Sequence, residues 1–214
     1  TEAGRRVAAA LAEFEGRSDV LVLALPRGGV PVAAEIATRL KAPLDLCLVR
    51  KLGLPGHEEL AMGAIAFGGV QVLNDELIRA ARVPLTLVTR VVDDERKELD
   101  RRDRAYRGGR PAPDVKGRIV ILVDDGLATG ATMEAAVMAV RQLSPAKLVV
   151  AVPVGAEESV QRLSTMADRV VCPETPEPFR AVGLWYQVFD QTSDAEVVRL
   201  LKEAEARSAP PKAK

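Results

Sequence analysis

The sequence predicts an α/β fold, a parallel sheet with helices on both faces. Three observations carry this. Short apolar runs alternate with helical stripes in the order β-α-β and, after an insertion, β-α-β-α-β, the pattern of crossover units. The runs are apolar throughout rather than alternating, as in Ile119-Val120-Ile121-Leu122-Val123, which reads as a strand buried on both faces. The 214 residues suit one such domain with at most a small subdomain.

In chain order, a first helix is expected near Arg5–Phe14, then a strand over Val20–Leu25, a helix over Pro31–Leu40 and a strand over Leu44–Val49. Leu54 to Arg118 breaks the alternation, with a Gly-rich stretch followed by a long charged helix. Between Asp93 and Arg104 only Leu99 is uncharged, and Asp93–Lys97, Glu98–Arg102 and Asp100–Arg104 stand at i,i+4, where they support a helix. Leu85, Val92, Leu99 and Tyr106 recur every seven residues, so one face packs, and the solvated remainder suits a subunit contact. The strand at 119–123 is followed by helix Met133–Leu143, strand Lys147–Val152, helix Ala156–Met166 and strand Arg169–Cys172. Phe179–Phe189 gathers Phe179, Trp185, Tyr186 and Phe189, four of the seven aromatic residues. The Pro/Ala/Lys stretch Ser208–Lys214 is expected to be a disordered tail, leaving residues 1–207 as one domain.

The densest chemistry follows the strand at 119–123. Asp124 and Asp125 stand at its carboxyl end, where open α/β sheets place ligands. Gly126 and Leu127 lead to Ala128-Thr129-Gly130-Ala131-Thr132, a small hydroxyl-rich turn that opens a helix. Backbone N–H groups, two hydroxyls and a helix dipole are what a phosphate requires. The paired carboxylates suit the vicinal hydroxyls of a ribose or a hydrated Mg²⁺. One segment therefore proposes a sugar phosphate, against the plain alternative of a strand-to-helix turn with exposed acids.

Two further segments extend it. Leu25-Pro26-Arg27-Gly28-Gly29-Val30-Pro31 follows the first strand. Its glycines permit close approach of an anion and Arg27 can neutralise one, although a tight βα turn also needs glycines for geometry alone. Arg50 and Lys51 end the next strand, ahead of a Gly- and Pro-rich loop able to open and close. His57, the only histidine, reads equally as an exposed loop residue, and Glu58 and Glu59 as solvated acids.

Composition narrows the field. Lys+Arg and Asp+Glu balance at 30 each, which argues against nucleic acid as a partner. Cys47 and Cys172 lie in apolar segments with no CxxC or histidine neighbour and read as reduced core residues of a cytoplasmic protein. No signal peptide and no bilayer-length apolar run is present, so no membrane association is expected.

The loop at 124–132 resembles the signature of the type I phosphoribosyltransferases, which bind phosphoribosyl pyrophosphate (PRPP). Arg50-Lys51-Leu52-Gly53 with His57 to Ala64, Tyr106 to Pro111, and Pro176 to Phe189 resemble, more narrowly, a bacterial subgroup of predicted phosphoribosyltransferases, over about Arg5 to Leu201. The resemblance implies an enzyme of nucleotide metabolism that moves the 5-phosphoribosyl group from PRPP to a nitrogenous acceptor and releases pyrophosphate. By that resemblance Asp124 and Asp125 take the ribose and, through water or its hydroxyls, Mg²⁺. Gly126 and Ala128 to Thr132 take the 5′-phosphate. Arg27, Gly28 and Gly29 form a pyrophosphate loop that often carries a non-proline cis peptide. Lys51 and Arg50 meet the pyrophosphate, with a mobile lid after them inside an insertion at 54–118. Arg27, Lys51, Asp124 and Asp125 are the expected catalytic set. The segment 176–190 becomes an acceptor hood with Trp185 stacking on a flat base, though Trp185 equally suits a core. In relatives acting on 6-oxopurines an aspartate precedes the loop's Thr-Gly; here that position is Ala128, which implies another acceptor. A homodimer is expected. The competing reading is a PRPP-sensing regulator on the same fold.

Overall fold

The computed structural model describes residues 1–208, apart from the side chains of Glu58, Glu59 and Ser208. Helix α1 (Glu2–Ala9) and a 3-10 turn at Ala12–Phe14 lead to β1 (Val20–Ala24), α2 (Gly29–Leu40) and β2 (Leu44–Leu46). Next come β3 (Val49–Leu54), β4 (His57–Ala66), β5 (Gln71–Leu73), α3 (Asp75–Ala80) and α4 (Leu85–Arg107). Then β6 (Ile119–Val123), α5 (Ala131–Gln142), β7 (Lys147–Ala151), α6 (Glu157–Ser164), β8 (Arg169–Val171) and α7 (Asp194–Ser208) complete the described chain.

The main sheet is parallel, in the order β2-β1-β6-β7-β8. Its three inner strands, β1, β6 and β7, bury both faces, as the unbroken apolar runs require. Val20, Val22, Ala24, Ile119, Ile121, Val123, Val149 and Ala151 pack towards α1, α2 and α7. Leu21, Leu23, Leu25, Val120, Leu122, Leu148, Val150 and Val152 pack towards α5 and α6. Ala24, Val123 and Ala151 stand level across three strands, so the turns after β1, β6 and β7 leave the sheet together.

Three expectations need correction. The apolar run Leu44–Val49 is not one strand. Its ladder with β1 ends where β1 ends, Ala24 opposite Leu46, with one last bond donated by the Cys47 amide to the Ala24 carbonyl at 2.8 Å. With no further partner the chain leaves, and Val49 begins β3 of a separate antiparallel sheet, β3-β4-β5. The segment after Lys51 is accordingly a hairpin rather than a loop. Leu54 pairs with His57 across Pro55-Gly56, and Gly56 takes φ 81°, which glycine adopts without cost. A boundary at residue 54 therefore cuts β3 at its end. Finally, the chain is helical up to Ser208: α7, which has no counterpart in the sequence reading, buries Val197, Leu201 and Ala204, while 209–214 lie outside the described residues.

Helix α4 follows its heptad. Val92, Leu99 and Tyr106 are buried, whereas Leu85 at its start is 77% exposed. Glu98 accepts from both Arg101 and Arg102, which hold its carboxyl down at about 2. Among the described residues no helix is long and apolar enough to cross a membrane.

Candidate active site

The turns after β1 and β6 are packed into one another. The Leu25 amide donates to the Val123 carbonyl at 2.8 Å, and the Pro26–Arg27 peptide is cis, as the resemblance anticipated for this turn. Gly28 faces the carboxylate of Asp125 so closely that a Cβ there would collide with it. A Cβ on Gly29 would come 2.6 Å from the Val123 carbonyl oxygen and 2.8 Å from the Asp124 Cα. Neither glycine takes the left-handed backbone, since Gly28 has φ −59° and Gly29 is absent from the positive-φ positions. Close approach, not conformational freedom, requires them, and what approaches is the acid pair itself.

Asp124 and Asp125 are partly buried at the head of β6. Burial, then the neighbouring carboxylate, pushes Asp124 well above the ordinary carboxylate range. Burial pushes Asp125 up as well. Two carboxylates raised in this way gain from a cation or from hydroxyl donors placed against them. That chemistry fits a hydrated Mg²⁺ or a ribose diol, and these two residues are the ones that would hold it.

The segment after the acids turns outward. Ala128, Thr129 and Thr132 are exposed, and Gly130, at φ 75°, begins α5 in the left-handed region. The Ala131 amide lies 3.5 Å from Thr129 Oγ1. Gly126 is closed in from the other side, where a Cβ would come 2.6 Å from Val182. The structure thus brings Gly126, Ala128, Thr129, Gly130, Ala131 and Thr132 together at the amino end of α5, the arrangement a phosphate needs.

Lys51 and Arg50 reach the same region from β3. Both line a cavity of about 360 Å³ together with Pro26 and Thr132, which joins the first turn, the hairpin and the turn at 128–132. Arg50 is also committed elsewhere, with Nε 2.5 Å from Glu95 of α4. Arg27 lies 3.6 Å from Asp194 at the start of α7, and Tyr106 of α4 donates to the same carboxylate at 2.8 Å. His57 is exposed at the hairpin tip, and the side chains of Glu58 and Glu59 lie outside the described residues.

A second cavity, about 470 Å³, opens beside Arg27, Gly28 and Asp125. Its aromatic wall is Tyr186 and Phe189, with ring centroids 5.1 Å apart. Tyr186 donates from its hydroxyl to the Asp125 carbonyl at 2.6 Å, and burial drives its own ionisation upward. Trp185, the aromatic expected here, is 48% exposed and lines a different groove with Arg6, Pro153 and Glu174. The reason is local: Val182–Trp185 forms a 3-10 turn, so neighbouring side chains diverge, and of the two it is Tyr186 that bonds Asp125. Asp194, Tyr186 and two groups on α6 described below have no motif of their own. Only the aromatic clustering at 179–189 signalled any of them.

Comparison with known proteins shows the family. The family profile "Phosphoribosyl transferase domain" matches residues 56–187. Two Mycobacterium tuberculosis proteins, from strains CDC 1551 and H37Rv and provisionally named phosphoribosyl transferases, are 48% identical over 203 residues. Those matches cover 95% of this chain but 46% of the relatives, so the chain spans about half their length. The crystal structure of TT1426 from Thermus thermophilus is 45% identical, with a TM-score of 0.86 over 94% of this chain and 95% of that one. With its profile match and these relatives, the chain belongs to the phosphoribosyl transferase domain family.

Proposed function

We propose that the chain transfers the 5-phosphoribosyl group from PRPP to a nitrogenous base other than a 6-oxopurine, in the cytoplasm, with release of pyrophosphate. The observation that carries this is the seating of the Arg27-Gly28-Gly29 turn against Asp124 and Asp125, beside a cavity shared by Lys51 and Thr132. Arg27 and Asp125 line one cavity, Lys51 and Thr132 the other, and the Pro26-Arg27 turn has a residue on each.

Each group then has a role. The N–H groups and hydroxyls at 129–132 hold the 5′-phosphate, and the acid pair orients the ribose hydroxyls. Negative charge grows on the oxygen that leaves C1′, and Arg27 and Lys51, with Arg50 behind them, neutralise it. Mg²⁺, which such transfers generally use, would be held by Asp124 and Asp125 and would supply further charge neutralisation. Tyr186 and Phe189 give the base an apolar wall and exclude water from an electron-poor ribose carbon.

Ala128 narrows the acceptor. It can neither take a proton nor accept a hydrogen bond, and general-base help at such a point contributes roughly 10²–10⁴-fold. A panel of nucleobases and small amines, incubated with PRPP and Mg²⁺ while pyrophosphate is followed, tests the reading. Hypoxanthine, guanine and xanthine should be poor acceptors. A 6-oxopurine emerging as the fastest would defeat the argument from Ala128, and no release with any acceptor would defeat the transfer itself.

A further inference from the structure

We infer that Ser159 and Arg162, on helix α6 and outside the cavities described above, are positioning residues that orient the phosphate turn and screen it from Glu134. The inference rests on the proposed reading of residues 128–132 as a phosphate site, and it concerns how that site is kept fit for an anion.

Three successive carbonyl oxygens of the turn are tied to α6 and the segment before it. Leu127 accepts from the Ala156 amide at 2.8 Å, Ala128 from the Ser159 hydroxyl at 2.7 Å, and Thr129 from Arg162 Nη2 at 2.5 Å. A phosphate is held by the N–H ends of peptide dipoles and repelled by their C=O ends. Drawing three consecutive C=O groups to one side commits their negative ends away from the ligand. Ser159 is 3% exposed, and a hydroxyl is buried at a cost unless it is bonded. The bond that satisfies it goes to Ala128.

Arg162 has a second engagement. Its Nε lies 2.5 Å from Glu134 Oε1. Glu134 sits on the first turn of α5, where a carboxylate suits an empty helix end but opposes a phosphate bound at the same end. Both groups flank Gly130, since a Cβ there would come 3.5 Å from Arg162 Nη2 and 3.5 Å from Glu134 Oε1. One guanidinium therefore holds the turn's carbonyl and neutralises the one acid of the first turn. A bracing role alone predicts only the first effect, so the second separates the two.

The test is calorimetric binding of PRPP and of ribose 5-phosphate to the wild type, Arg162→Met, Glu134→Gln, the double variant and Ser159→Ala. Arg162→Met should weaken both ligands by about tenfold or more, while turnover at saturating PRPP changes by less than about threefold. Adding Glu134→Gln should recover part of the lost affinity, the share due to screening, and Glu134→Gln alone should leave it unchanged or tighter. Ser159→Ala, which leaves the Ala128 carbonyl without its donor, should also weaken both ligands. Unchanged affinity in a folded Arg162→Met protein overturns the inference. A double variant no tighter than Arg162→Met overturns the screening. Should the wild type bind ribose 5-phosphate but release no pyrophosphate with any acceptor, the transfer reading falls and the positioning of the turn stands. Should it bind neither ligand, both fall.

Discussion

Across the proposed site the two sheets hold their functional groups by different means. On the parallel sheet, the acid pair and the turn after β1 are set through the main chain: strand register sets their level, Gly29 is pressed against the backbone of β6, and Tyr186 bonds a carbonyl rather than a side chain. On the antiparallel sheet, Arg50 and Lys51 are half-buried side chains that extend from β3, and Arg50 is shared with Glu95 of α4. The first region is shaped like a mould. The second presents long, adaptable cations to it. On the proposed reading, binding specificity belongs with the mould, and charge that must be met during reaction belongs with groups able to follow the leaving oxygen.

The comparison breaks first at Lys51. If the hairpin acts on the leaving group, Lys51→Ala should lower kcat by roughly 10²–10³-fold, the range for removing one donor to a developing charge, while PRPP affinity moves little. Single-turnover kinetics beside calorimetry would show it. A variant that loses affinity alone would move Lys51 into ground-state binding.

The acid pair should behave in the opposite way. Asp124→Asn with Asp125→Asn should weaken PRPP by at least about tenfold, or about 1.4 kcal/mol, in calorimetry. Because both pKa values are raised in the fold, the protonated forms are the ones the fold favours. Their contribution to stability is present below the unfolded value, about 3.9, and is lost as pH rises through the folded values. The ligand-free Asp124→Asn protein should therefore be more stable than the wild type at pH 7.5, with the gap closing towards pH 4. Urea melts at the two pH values check the sign, and an equal gap at both would place its origin outside this titration.

Glycine sharpens the contrast at the smallest scale. Gly29→Ala meets backbone at 2.6 Å, so it should cost about 1–3 kcal/mol and carry PRPP affinity down with it. Gly56→Ala, in the hairpin turn with nothing within 4 Å of its Cβ, should cost only the backbone strain of about 1–2 kcal/mol and leave PRPP affinity alone. Melting curves and binding measured on both variants test whether mould and hairpin are separable.

What the sequence made legible follows the same division. The strand 119–123, its two acids and the small turn lie within fourteen consecutive residues (119–132), so local pattern was enough to read them. Gly28 and Gly29 were legible as a turn, but their purpose was not, because the obstacle they avoid comes from residues nearly a hundred positions away. The run Leu44–Val49 hid a strand boundary, since where a ladder stops depends on where its partner stops. Pro55-Gly56 read as loop because the same dipeptide serves loops and hairpin turns, and only the pairing of Leu54 with His57 distinguishes them. Between Trp185 and Tyr186 composition favoured the larger ring, while a short 3-10 turn decided which one faces Asp125. Ser159 and Arg162 meet the turn at its carbonyl oxygens, which carry no sequence identity at all.

The contact between Arg27 and Asp194, reinforced by Tyr106, also sets a timetable. Roughly 170 residues separate the two partners, and at about 5–20 residues per second a ribosome takes on the order of ten to thirty seconds to deliver the second after the first. Throughout that interval the nascent chain carries the basic turn without its clamp, and α2 lacks the cover that Val197 and Leu201 of α7 bring to the core. Completion of the pocket therefore waits on the arrival of α7, long after β1 and its basic turn have been made.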